Sequence, residues 1–174
     1  MALKLDMSKT YDRVEWFFLE KLMRKMDFNE RWTNLIMLCV KLVTYSVLVN
    51  GEPCGMIHPT RGIRQGDPLS PFLFLLYTEG LNRLIKQADL NGDIHGFSLC
   101  RRSQKLTHLL FFFFVDNSLL FCRATLDECG KVLEILDMYK GASCQKVNRS
   151  KIALFFTKST TVDIRSKIKE ALVY

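Results

Sequence analysis

Apolar positions along the chain change period several times, and each change marks an element. Ala2–Leu5 is a short run that reads as the end of a strand leading into Asp6. From Val14 the spacing turns helical: Val14, Phe18, Leu22 and Met26 fall one turn apart, with Leu19 and Met23 beside them. A second helix is carried by Trp32, Leu35, Ile36, Cys39, Val40 and Val43 as one apolar stripe. Tyr45–Val49 is rich in strand formers. Asn50-Gly51 follows as a hairpin signal, because both central residues of a type I′ turn need positive φ. The return strand is expected to run to about His58.

A loop over Thr60–Gly66 then carries Arg61, Gly62, Arg64, Gln65 and Gly66. Asp67-Pro68 opens a third helix, with aspartate as N-cap and proline in the first turn. Leu69, Phe72, Leu73, Leu76, Leu84 and Ile85 form its apolar face. Leu90–Arg102 is irregular, with a turn at Asn91-Gly92. Leu106–Val115 and Ser118–Cys122 read as strands joined by a turn at Asp116-Asn117. Leu126–Tyr139 reads as a helix, Lys151–Phe156 as a short strand, and Ile164, Ile168 and Leu172 as an amphipathic helix. The order β-α-α-β-β-α-β-β-α-β-α implies an α+β fold, a sheet with helices on one face.

The chain has 174 residues, 48% of them hydrophobic and 25% charged, so it can bury a core and is not disordered. Its formal charge of +7 favours an acidic partner such as nucleic acid, and equally describes a basic surface with no partner. None of the six cysteines forms a C-x-x-C pair, which argues against zinc. There is no secretory signal, so free thiols in a reducing intracellular compartment are expected. No run approaches the roughly 18 apolar residues that span a bilayer, so no membrane partner is expected. His58, His95 and His108 lack metal-ligand spacing and read as structural or surface residues. Arg101, Arg102 and Lys105 read as a solvated loop or as phosphate contacts. The methionines fall on helical apolar faces and read as core. No linker or repeat interrupts the chain.

Spacing alone says little about chemistry. If the strand ending at Asp6 neighbours the strand near Asp116, two carboxylates meet at one sheet end. Magnesium accepts few protein carboxylates and takes substrate phosphates for the rest of its octahedron. Equally, Asp6 is a surface or capping residue and Asp116 an ordinary turn residue.

Four motifs in order change that balance: Lys4-Leu-Asp-Met-Ser-Lys-Thr-Tyr-Asp-Arg-Val14, Arg61-Gly-Ile-Arg-Gln-Gly-Asp-Pro-Leu-Ser-Pro71, Phe114-Val-Asp-Asn-Ser-Leu-Leu-Phe121 and Ala142-Ser-Cys-Gln-Lys-Val-Asn-Arg-Ser-Lys151. With Val49-Asn-Gly51, they resemble the palm core of reverse transcriptases of the non-LTR (LINE-type, plant-like) retrotransposons. The resemblance implies a right-hand polymerase palm over residues 1–160, with 161–174 opening a following helical segment. It implies RNA-directed DNA polymerase chemistry, with an RNA template, a DNA primer, dNTP and two magnesium ions. By the same resemblance Asp6 and Asp116 hold the metals, Asn117 takes the place of the third ligand, and the Met7 backbone touches one ion. Tyr11 matches the aromatic residue under the incoming sugar that excludes a 2′-hydroxyl; a core aromatic is the plainer alternative. Gln65 and Gly66 match the loop against the nascent base pair. Lys151, with Asn148, matches the fourth motif, whose lysine would protonate the pyrophosphate leaving group.

The sequence departs from that family in four ways. Asn117 stands where the paired-aspartate turn has its second carboxylate, so one of three negative charges is lost. The family reads roughly His-Leu-x-Phe-Ala-Asp-Asp, whereas Leu-Leu-Phe-Phe-Phe-Phe-Val separates His108 from Asp116. An insertion in a strand shifts the register or forces a bulge. Cys144 stands where the family has glycine, a strain of about 1 kcal/mol if φ there is positive. Finally, fingers and thumb are expected to be largely missing. The expectation is therefore a truncated retroelement reverse transcriptase with its activity lost. The alternatives are a non-catalytic basic nucleic-acid-binding protein and an unexpressed pseudogene product. Nucleus or cytoplasm follows from the family.

Overall fold

The computed structural model describes residues 1–96, 108–110 and 117–173, and for 108–110, 117 and 173 the backbone alone. Its elements are β1 (Ala2–Asp6), α1 (Trp16–Lys25), α2 (Glu30–Lys41), β2 (Tyr45–Val49), β3 (Glu52–Ile57), α3 (Ser70–Leu90), β4 (His108–Leu110), β5 (Asn117–Phe121), α4 (Leu126–Ser143), β6 (Ala153–Phe155) and α5 (Val162–Val173). This is the order expected from the hydrophobic pattern, and the class is α+β. The chain divides into two compact units, Met1–Thr10 with Thr78–Tyr174, and Tyr11–Tyr77. Among the described residues no helix is long and apolar enough to cross a membrane.

The first unit contains an antiparallel sheet in the order β4-β5-β1-β6. β1 therefore has a neighbour on each side. Its alternation is resolved by burial: Leu3 and Leu5 are fully buried, while Lys4 points outward. Each such leucine contributes roughly 1.5–3 kcal/mol by leaving water. α4 begins at Thr125, whose hydroxyl accepts the Glu128 N–H (3.4 Å), and its first turn holds Asp127 and Glu128, favourable charges for a helix N-terminus. Val132, Ile135, Leu136 and Tyr139 of α4 are buried, as are Ile168 and Leu172 of α5. α4 and α5 pack on each other. Ile164, expected on the same apolar face, lies nearer the rim and is 37% exposed.

Two expectations in this unit are corrected. A tight turn at Asp116-Asn117 would set Val115 against Ser118, but Leu110 takes that place. Asn117 is instead the first residue of β5 and pairs with Asp6. The phenylalanine run 111–114 lies outside the described residues. Lys151 belongs to no strand. Arg149–Lys151 form a 3-10 turn, and β6 starts only at Ala153.

In the second unit α1 packs against α2. Leu19 and Met23 of α1 are buried, as are Thr33, Ile36, Met37 and Val40 of α2. Trp32 and Leu35, expected in the α2 stripe, are about half exposed, at 51% and 50%, and Cys39 is exposed too. α2 carries apolar residues around most of its circumference, so periodicity alone does not say which face meets α1. The same holds for α3, whose residues up to Tyr77 belong to this unit and the rest to the first. Leu73 and Ile85 are buried as expected, but Phe72 faces outward while Phe74 and Tyr77 enter the core. Met23 and Met37 are core residues; Met56 and Met138 are exposed, which corrects the general reading of the methionines.

Local chemistry in this unit follows the sequence closely. The Asp67 carboxylate accepts the Leu69 N–H (2.8 Å), as an N-cap does. The Ser70 N–H reaches the Asp67 carbonyl (3.1 Å), so the first turn is tight and the α-helix begins at Ser70. Asn50 and Gly51 have φ of 52° and 88°, the positive pair of a type I′ hairpin joining β2 to β3.

Candidate functional site

In the first unit, four expected residues come to one end of the sheet. Asp6 closes β1 and faces Asn117 across the β1–β5 ladder. The two strands are neighbours, as a shared carboxylate site requires. Asp116 itself lies outside the described residues, as do Cys100, Arg101, Arg102 and Lys105. The Asp6 side chain is 16% exposed, so it is reachable from solvent yet held by its surroundings.

What holds it is the segment after α4. The Asn148 N–H donates to the Asp6 carbonyl (2.8 Å), Met7 bridges Val147, and the Ser8 N–H donates to the Lys146 carbonyl (2.8 Å). The 3-10 turn then curls back and brings the Lys151 ammonium to 3.8 Å from the Asp6 carboxylate. At 65% exposure this lysine is a solvated partner, worth little to stability. Met7 is buried, and its carbonyl accepts the Thr10 hydroxyl (3.1 Å), with a second lone pair left for another contact.

The start of that segment is strained in the way the sequence suggested. Cys144 caps α4 in the left-handed region, with φ 57° and ψ 7°. A glycine accepts this backbone freely, and a cysteine does not.

A divalent cation needs hard oxygen donors. The Asp6 carboxylate and the Met7 carbonyl fit that need, and magnesium asks for few protein ligands. Among the described residues no three His, Cys, Asp or Glu gather into a metal cluster.

Tyr11, Gln65 and Gly66 belong to the second unit. Tyr11 is half-buried, its ring edge-on to Phe74 with centroids 5.8 Å apart. Its carbonyl accepts the Ile63 N–H (3.0 Å), and the Gly62 N–H donates to the Val14 carbonyl (2.7 Å). The Arg61–Gly66 loop is thus stitched to the last residues of the first motif. Gly62, at φ +89°, has the Asp12 and Tyr11 backbone 3.4 Å from where a Cβ would lie. The Trp16 indole completes the attachment by donating to the Gly62 carbonyl (2.7 Å), a contact no sequence pattern announced. Gln65 and Gly66 are exposed. Gly66 has open space around it but a φ of +85°, so its backbone conformation is reason enough for glycine. Arg61, Arg64 and Gln65 line an open groove with Asp12 and Tyr45. Arg61 also lies 3.4 Å from Glu15.

Neither His58 nor His95 plays a part in either arrangement. His58 is exposed, and His95 is tied to the buried Glu128 by a 2.9 Å contact at Nδ1. Of the cysteines, Cys39, Cys54, Cys122, Cys129 and Cys144 are free thiols. Burial pushes Cys122 up to about 12 and Cys129 up to about 11. Sequence reasoning missed Gln145, Ser8 and Trp16; their roles lie in contacts between segments far apart in the chain.

Over 64 residues the chain is 47% identical to an uncharacterized mitochondrial protein of Arabidopsis thaliana, covering 37% of this chain and 52% of that one. Over 80 residues it is 29% identical to the retrovirus-related Pol polyprotein from type-1 retrotransposable element R2 of Popillia japonica, covering 46% of this chain and 13% of that one. The chain therefore spans about half the length of the first relative and a small part of the second. Among solved structures, apo telomerase from Candida tropicalis superposes over 92% of this chain and 31% of its own, with a TM-score of 0.63 and 17% identity. Telomerase from Candida albicans, in complex with a TWJ fragment of telomeric RNA, covers 92% of this chain and 27% of its own, with a TM-score of 0.59 and 18% identity. At such identities the likeness is one of fold. The likeness to retrotransposon reverse transcriptases read from the motifs holds. Residues 1–165 match the family described as reverse transcriptase (RNA-dependent DNA polymerase), and the chain belongs to it.

Proposed function

We propose that the chain is the palm of an RNA-directed DNA polymerase domain whose nucleotidyl transfer is weak because an uncharged residue, asparagine, stands opposite its metal-binding aspartate in the ladder. The observation that carries this reading is the register of Asp6 opposite Asn117 at the open end of β1 and β5. Asp6, with Asp116 one position before Asn117, would hold two magnesium ions; the Met7 carbonyl supplies a further oxygen. When bound, such ions stabilise the attacking and leaving oxygens of an in-line phosphoryl transfer. An asparagine oxygen can ligate, but it brings no charge to offset two dications.

The remaining roles are those the motif resemblance implies, joined to the chemistry of each side chain. Lys151, poised by the 3-10 turn beside Asp6, is the proton donor to pyrophosphate. Tyr11 offers a rigid ring against the dNTP sugar. Arg61 and Arg64 attract the phosphates of the RNA template and DNA primer, and Gln65 and Gly66 lie against the nascent pair. The telomerase solved with an RNA fragment supports nucleic acid as the partner class.

The test is primer extension on poly(rA)/oligo(dT) with magnesium. The unaltered chain should incorporate little. Asn117→Asp should raise incorporation by about tenfold or more, because charge stabilisation by a metal is worth several kcal/mol. Asp6→Ala should abolish it. Equal rates for the unaltered chain and Asn117→Asp would remove the penalty assigned to the amide. Incorporation insensitive to Asp6→Ala would remove the reading itself.

A further inference from the structure

Gln145 is 2% exposed, and no motif reading assigned it a task. A buried side-chain amide is costly unless it makes strong hydrogen bonds. Its Nε2 donates to the Thr10 carbonyl (3.0 Å), across 135 positions of chain. Its own N–H donates to the Ser143 hydroxyl (3.3 Å), which in turn donates to the Tyr139 carbonyl (2.6 Å) in the last turns of α4. Gln145 is thus anchored through its backbone N–H to α4 and through its side chain to the turn that follows Asp6. Its Oε1 has no partner among the described residues, so the side chain is kept for what its Nε2 does.

We infer that Gln145 is the positioning residue for Asp6: it fastens the far end of the Asp6–Thr10 turn to α4 and so sets where the carboxylate points. The contacts in between run in register. Gln145 meets Thr10, Lys146 meets Ser8, Val147 bridges Met7 and Asn148 meets Asp6. Three of these four are made by backbone alone, which any side chain at those positions allows. Only Gln145 contributes a side chain, and it does so where the turn leaves the ladder. The Thr10 hydroxyl, bonded back to Met7, makes the turn a closed unit that moves as one. Cys144 in its left-handed conformation directs the chain so that Gln145 enters the interior. Asp6 closes an edge of this arrangement, so releasing Thr10 leaves its carboxylate and the Met7 carbonyl held by the backbone contacts alone and less sharply aimed.

This inference rests on the reading of Asp6 as a ligand of a divalent cation, and the test separates the two. The full chain is titrated with Mn2+, followed by the electron spin resonance of the free ion, alongside Asp6→Asn and Gln145→Met. Methionine keeps the approximate shape and removes both the donor and the unpartnered oxygen. Gln145→Leu is the second variant, and whichever of the two remains folded is read. Gln145→Met should weaken Mn2+ binding roughly tenfold to a hundredfold, as loss of an outer partner of a metal ligand does. Its melting temperature should shift by no more than about 4 °C. Amide exchange at Ser8 and Asn148 should quicken. Mn2+ affinity equal to that of the unaltered chain, with Asp6→Asn clearly weaker, overturns the inference and keeps Asp6 as a ligand. A large fall in melting temperature in both variants assigns Gln145 to structure alone and also overturns it. Affinity that is the same in the unaltered chain and in Asp6→Asn overturns the reading of Asp6 and, with it, the need for positioning.

Discussion

β1 and β2 are strands of five residues each, and both carry valine or leucine within strand-forming runs. Their fates differ. β1 has a paired neighbour on each side, and Leu3 and Leu5 are fully buried. Among the described residues β2 pairs only with β3, and every residue of both strands is exposed. The hairpin exists because its turn chemistry and ladder are locally consistent. The four-stranded sheet exists because it removes apolar surface from water. Local rules suffice to write a hairpin; burial has to be supplied by segments from elsewhere in the chain.

The largest test of this contrast is truncation of one leucine in each region. Leu5→Ala should cost about 2–5 kcal/mol, the usual range for a buried leucine left with a cavity. Leu48→Ala, at a position 69% exposed, should cost less than about 0.5 kcal/mol. Urea denaturation of the two variants decides, and equal losses would erase the distinction.

Thiols sharpen the contrast next. Cys54 on β3 is exposed, whereas Cys122 and Cys129 are buried. Burial raises the folded Cys122 to about 12 from an ordinary 9.0, and Cys129 to about 11. Below pH 9 the thiols are neutral in folded and unfolded chain alike, so this stability is fully present. Above it the unfolded chain ionises first, and stability should fall steadily as pH rises towards about 12. Cys122→Ala should flatten that alkaline slope. Iodoacetamide at neutral pH should label Cys54 and spare Cys122. An unchanged slope in Cys122→Ala would assign the alkaline loss to other groups.

The smallest effect compares two left-handed residues, Cys144 with φ 57° after α4 and Asn50 with φ 52° in the hairpin. Asparagine tolerates this region and cysteine does not. Cys144→Gly should therefore stabilise by up to about 1 kcal/mol, less the extra entropy of the unfolded chain, while Asn50→Gly should be near neutral. Thermal melts of both would show it; a destabilised Cys144→Gly would mean that the thiol makes contacts worth more than the strain.

Much of this was legible in the residues. The order of elements follows from changes of period. The Asp67 cap and the Asn50-Gly51 turn follow from side chains that bond their own neighbouring backbone. The positive φ at Cys144 was readable from where glycine is expected. Less legible was everything set by distant contacts. α2 and α3 are apolar on more than one side, so their buried faces were chosen by what packs on them. The β4–β5 register did not follow from the turn signal at Asp116-Asn117, because a ladder aligns by its whole length and not by one turn. Lys151 was expected in a strand and lies in a 3-10 turn, and that difference is what brings it to Asp6.

The sequence by itself determined the family, the α+β class and the order of elements. Those depend on local periodicity and on motif order, which are properties of neighbours in the chain. The tertiary structure alone decided that Asp6 faces Asn117, that Lys151 curls back to it and that Gln145 ties down the turn behind it. Each of those is a meeting of residues more than a hundred positions apart, fixed by the hydrogen bonds and burial of the folded sheet rather than by any pattern along the chain.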